Sequence, residues 1–232
     1  MKIWLFAAFL ILWGNLLHPL IGPTALLPGG SWQFVVAGAA LLILSLAAAR
    51  LLRLDGASIG LRRAGSLRGA AIGAAAGGVI AALAVAVMRA VAPAVVGQPL
   101  IYEPLQFASA DDLTQHILFF LPFGVVIPEE VAFRGTLLSG LLARYGLRYA
   151  VIASAIAFSL WHGTVGVFTV VNTTVPSVLI VPAIAGALAF LFIGGAIMAR
   201  LRVATGTVIT SIAAHWAFNA IILIGLRYPR ID

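Results

Sequence analysis

Three short runs of this chain hold side chains able to do acid–base chemistry. Glu129 and Glu130 stand in Pro128-Glu129-Glu130-Val131-Ala132-Phe133-Arg134-Gly135, His162 ends Phe158-Ser159-Leu160-Trp161-His162, and His215 and Asn219 stand in His215-Trp216-Ala217-Phe218-Asn219. On a helix, residues four apart lie about 40° apart around the axis, so Glu130 faces Arg134, Phe158 faces His162, and His215 faces Asn219. Glu130 precedes Arg134, the better order for an ion pair, while Glu129 points away by about another 100°. One carboxylate is thereby neutralised locally and its neighbour is free to face something else. Carboxylates, imidazoles, an amide and an arginine gathered in one cavity have the parts to activate water and stabilise an oxyanion. Read singly, each run has a plainer meaning: a buried ion pair locking two helices, an interfacial histidine beside tryptophan, and a helix–helix hydrogen bond.

The elements that must position these groups are membrane helices. The chain has 232 residues, of which 62% are hydrophobic and 9% charged, against about 25% charged in a soluble domain. Its mean hydropathy is +1.13. Such a composition cannot cover a soluble globule with polar surface, so the fold predicted is all-α: one polytopic transmembrane helix bundle over residues 1–232. Ionisable side chains at membrane depth cost several kcal/mol, which makes each a functional-site hypothesis by default. Burying polar side chains from three separate spans is tolerable only where they meet in a shared polar cavity within the membrane.

A span needs about 20 apolar residues. Windows of that kind fall at roughly 3–27, 32–52, 67–92, 113–142, 148–166, 176–199 and 206–226, giving seven to eight spans. Pro23, Pro28-Gly29-Gly30, Asp55-Gly56, Pro93, Gly97, Pro99 and Thr205-Gly206 punctuate them. The run 163–200 is long enough to hold a loop plus one helix, or a short eighth or re-entrant element. Pro122 and Pro128 interrupt the fourth window, and the second half of that span is expected to begin as a new helix at Pro128. The N-terminal run from Lys2 to Trp13 reads as a retained first helix rather than a signal peptide, since no small-x-small cleavage site follows.

Orientation follows from arginine bias. Arg50, Arg53, Arg62, Arg63 and Arg68 place the loop between the second and third windows in the cytoplasm, and alternation puts Lys2, Arg144, Arg148, Arg200 and Arg202 there too. Glu103, Asp111 and Asp112 fall outside, and Arg227 and Arg230 disagree under a seven-span count. Gly69-x-x-x-Gly73-x-x-x-Gly77 and, in the sixth window, Gly186, Gly194 and Gly195 read as close-packing faces.

Several classes are excluded. With no cysteine, disulfides, thiol catalysis and cysteine-ligated zinc are out. The net charge of +7 sits in short loops between apolar runs, as membrane topology requires, so nucleic acid is not an expected partner.

Taken in order on successive helices, Glu129-Glu130-x-x-x-Arg134, Phe158-x-x-x-His162 and His215-x-x-x-Asn219 resemble the CPBP family of intramembrane proteases, which includes the type II CAAX prenyl endopeptidases and bacterial Abi-type proteins. The motifs cover roughly residues 110–226, and Gly60-Leu61-Arg62-Arg63 adds a weaker likeness. The resemblance implies an endopeptidase with Glu129 as general base, His162 helping to position and activate the water, and His215 and Asn219 lining the oxyanion hole. It implies that Glu130 and Arg134 support the site and that Phe158 packs beside the base. It also implies a glutamate mechanism without metal or other cofactor. The alternative is a zinc enzyme, for which Glu129, His162 and His215 have the composition to ligate the ion around an open position, although the pattern is not His-Glu-x-x-His. The partners expected are the lipid bilayer and a membrane-associated peptide or protein, a lipidated tail among the candidates. Heavy Ala, Gly and Leu usage fits a prokaryotic cytoplasmic membrane. A non-catalytic immunity or assembly factor of the same fold is the runner-up, and a proton-coupled transporter follows it because the first three windows supply almost no acid or histidine.

Overall fold

The computed structural model describes residues 1–21, 31–61 and 65–227. Its apolar windows are helices, the form in which a single segment satisfies its own backbone in lipid. Helix α1 is Lys2–Ile21, α2 Ser31–Leu51 and α3 Ser66–Val96. Helix α4 runs over Ala110–Leu142, α5 over Leu147–Trp161, α6 over Gly163–Val171, α7 over Ile180–Thr205 and α8 over Val208–Leu226. Among the described residues, five helices are long and apolar enough to cross a membrane, and a sixth span results if α5 and α6, bent by 48°, count as one. Lys2–Leu17 of α1 is apolar but shorter. The run 163–200 resolves into α6, one 3₁₀ turn at Ser177–Leu179, and α7. Pro23, Pro28-Gly29-Gly30, Arg62, Arg63 and Arg230 lie outside the described residues.

Helix α4 does not restart at Pro128. Ile127 just before it is helical, with φ −61° and ψ −50°, and its N–H donates to the Pro122 carbonyl five residues back. Proline removes an N–H, and its ring collides with the carbonyl four residues earlier. The chain accommodates this by widening into π-type turns over His116–Val126 and Val131–Leu137, flanking the four-residue turn that carries both glutamates. Opposite Pro128, Gly38 of α2 has no Cβ, so the Gly124 carbonyl and the Pro128 ring sit directly against the α2 backbone.

The stripe Gly69, Gly73 and Gly77 packs as expected. A Cβ on Gly73 would meet the Thr210 carbonyl, and one on Gly77 the Ala214 carbonyl, so α3 and α8 touch backbone to backbone. Gly186 and Gly194 differ from the expectation: a Cβ on either would meet nothing within 4 Å, and only Gly195 is close-packed, against Phe158, Ala155 and Arg134. The main apolar core joins α1, α4, α5 and α7 through Ile3, Leu10, Phe133, Leu137, Phe158 and Ala199.

Polar contacts fix the two ends of the bundle. At one end the Arg202 guanidinium donates to the Ser58 carbonyl and to Ser139 Oγ at 3.0 Å, and the Val208 N–H donates to the Gly60 carbonyl at 3.0 Å. Gly60 takes φ +81° there, a conformation that favours glycine. At the other end Tyr102 bridges to Thr173, and Arg227 donates to the Ala108 carbonyl at 3.1 Å. Arg202 thus shares its end with the loop after Arg50 and Arg53, whereas Arg227 lies at the opposite end.

Candidate active site

The site is built where α4, α5 and α8 meet. Glu130 and Arg134, one turn apart on α4, are both fully buried. Glu130 Oε1 accepts from Arg134 Nη1 at 2.9 Å and lies 2.9 Å from His215 Nδ1 on α8. The guanidinium carbon is 3.9 Å from the centre of the Phe158 ring, and Nη2 reaches the Gly195 carbonyl of α7 at 3.5 Å. A buried charge persists only where it is paired and hydrogen-bonded. Here one arginine draws its partners from α4, α5 and α7, with a cation–π contact completing the set.

Glu129 is almost as deeply buried, at 7% exposed, but faces elsewhere. Its Oε2 lies 3.8 Å from His162 Nε2 and has no hydrogen-bond partner. His162 caps the C-terminus of α5, and its Nδ1 is 2.9 Å from the Phe158 carbonyl. A carbonyl only accepts, so the proton sits on Nδ1, and in the neutral ring Nε2 is an acceptor facing the carboxylate. The gap between these two acceptors is one that a bridging water spans.

The turn that presents His162 is held by a residue the sequence reading passed over. Asn15 of α1 donates through Nδ2 to the Ile11 and Leu160 carbonyls, each at 2.8 Å. Its Oδ1 accepts from the Thr164 N–H at 2.8 Å and from Thr164 Oγ1 at 2.9 Å. One amide side chain therefore bridges the bend between α5 and α6. Its one available signal was a polar residue interrupting an apolar helix, a signal that points to no particular partner.

The four groups on α5 and α8 converge. Phe158, His162, His215 and Asn219 line one cavity of about 230 Å³, whose remaining wall is apolar and comes largely from α3, α7 and α8. Phe158 stands between the imidazoles, 4.5 Å from the His162 ring and 6.0 Å from that of His215. Glu129 lines a different pocket, of about 120 Å³, with Trp13, Phe34, Leu41, Gly124 and Trp161. Val125 belongs to both walls. Glu129 thus sits at the partition between two mostly apolar hollows, rather than in one polar chamber. Among the described residues no group of three or more His, Asp or Glu side chains is gathered as a metal-ligand set.

Residues 113–221 match the family model of the type II CAAX prenyl endopeptidase Rce1-like proteins. The matched segment contains all three motifs. No curated protein and no solved structure matches the chain.

Proposed function

We propose that this chain, whose residues 113–221 match the Rce1-like family model, is an intramembrane endopeptidase with Glu129 as its general base. The observation that carries the reading is the 3.8 Å approach of an unpartnered Glu129 oxygen to His162 Nε2, opposite a cavity lined by His215 and Asn219. A water donating one O–H to the carboxylate and the other to Nε2 is oriented by both. Glu129 takes a proton from this water as its oxygen attacks the scissile carbonyl. The oxyanion that forms is stabilised by the Asn219 amide and by His215. Collapse of the tetrahedral intermediate breaks the C–N bond, and the Glu129 carboxyl returns its proton to the leaving amine.

His215 has a condition attached. Its Nδ1 proton is directed at Glu130, a carboxylate that only accepts, so Nε2 donates to the oxyanion when the ring is doubly protonated. Glu130 is placed to hold that charge. The supporting pair therefore shapes the electrostatics of the site as well as the helix turn.

The substrate proposed is a membrane-associated peptide or protein, with a lipidated C-terminal tail the first candidate because the cavity wall is apolar. The membrane proposed is a prokaryotic cytoplasmic one, a reading supported by composition. The test is cleavage of a prenylated CAAX peptide by the purified chain in vesicles. E129Q is expected to cut product formation by about 10²-fold to 10⁴-fold while leaving the melting temperature unchanged. Wild-type turnover by E129Q would remove Glu129 from the mechanism.

A further inference from the structure

A second hollow lies on the outside of the bundle, between α5 and α7. It is an open groove of about 580 Å³, with Ile152 on one wall, Ile193, Ala196 and Ile197 on the other, and Arg148 and Arg200 beside them. Ile152, Ile193 and Ile197 are exposed; on helices this apolar, that means exposed to lipid. Between Phe192 and Arg200 the α7 wall descends eight residues from the arginine end, about 12 Å at 1.5 Å per residue. No Asp or Glu lines the groove, and neither arginine makes an ion pair among the described residues. Both arginines are exposed, in the first turn of α5 and near the last turn of α7. That is the end where Arg202 meets Ser58, the end that arginine bias assigns to the cytoplasm.

Two unpaired cations above an apolar trough on the lipid-facing side complement a molecule with an anionic head and a hydrocarbon tail. We propose that the α5–α7 groove binds an anionic phospholipid, its phosphate on Arg148 and Arg200 and one acyl chain along Ile152, Ile193 and Ile197. Basic side chains near a membrane surface attract anionic headgroups, so the pair confers headgroup selectivity while the trough holds the tail. Occupancy reaches the site indirectly. Ile197 and Leu201 line both this groove and the cavity that holds His162 and His215, so the lipid packs against the outer side of the cavity wall.

The experiment is native mass spectrometry of the purified full chain, mixed with equal amounts of phosphatidylglycerol and phosphatidylcholine of matched acyl chains. Wild type is expected to retain phosphatidylglycerol preferentially, and R148Q/R200Q to lose that preference by about tenfold or more. I193W, which fills the trough, is expected to lose bound lipid of either headgroup. A melting temperature for each variant shows that the fold is kept. Equal retention of the two lipids by wild type overturns the proposal, and so does a preference that survives in R148Q/R200Q or falls equally in R50Q/R53Q. A dimer in place of a lipid adduct assigns the groove to a second copy, and displacement of the lipid by a prenylated peptide assigns it to substrate; either result also overturns it.

Discussion

His215 Nδ1 lies 2.9 Å from Glu130 Oε1, so the histidine expected at the oxyanion is held by the carboxylate expected to support the helix turn. Arg134 binds the same oxygen at 2.9 Å. In the proposed mechanism support and chemistry share one atom, so substitutions in this cluster are not expected to separate cleanly into structural and catalytic classes.

Removing Glu130 leaves Arg134 buried without its counter-ion. E130A is expected to destabilise the fold by about 3–5 kcal/mol, read as a lower melting temperature in detergent. The double variant E130Q/R134M removes the charge as well as its partner and is expected to be more stable than E130A. If E130A melts with wild type, the pair is not holding the helices.

Glu129 stands apart from that network, so its loss is expected to spare the fold. E129Q and H162A are each expected to reduce cleavage by about 10²-fold to 10⁴-fold with melting temperatures near wild type. A variant that loses activity only because it unfolds would show the loss in both measurements.

Asn15 is a positioning residue, since it touches the backbone on either side of His162 rather than the reacting groups. N15A is expected to lower kcat more than it raises KM, because the bound peptide keeps its cavity while the water loses its orientation. An equal fall in substrate affinity would instead place Asn15 in binding.

The α3–α8 contact leaves no room for side chains at Gly73 and Gly77. G73V is expected to cost about 3 kcal/mol or more, because the obstacle is the Thr210 carbonyl rather than a movable side chain. G186A, on open helix surface, is expected to be neutral or slightly stabilising. Thermal melts of the two variants side by side give the comparison.

Metal chelation tests the zinc alternative. EDTA and phenanthroline are expected to leave cleavage unchanged after overnight dialysis. Loss of activity that zinc restores would replace the glutamate mechanism with a metal one.

Much of this was legible in the chain. The Glu130–Arg134 pair, the shared face of Phe158 and His162, and that of His215 and Asn219 are local consequences of the helical repeat, and each appears in the structure. The apolar windows and the Gly69-Gly73-Gly77 stripe were equally readable, because helix formation and small-residue packing in lipid depend on nearby residues. The reading failed where two helices had to be compared. Nothing in the sixth window distinguishes Gly195, pressed against Phe158, from Gly194 one residue earlier, beside which there is open space. Pro128 looked like a helix start because a single proline is judged by its own missing N–H, whereas π-type turns on both sides absorb it.

The sequence by itself determined which side chains share a helix face, because that angle follows from a rotation per residue that is the same in every α-helix. Only the tertiary structure decided that His215 joins Glu130, that Asn15 clamps the turn at His162, and that Glu129 opens on a different hollow from His215. Those facts depend on how α1, α4, α5 and α8 are rotated and shifted against one another. The rotations come from backbone contacts such as Gly38 on Gly124 and Gly73 on Thr210, between residues distant in the chain, and no local repeat encodes them.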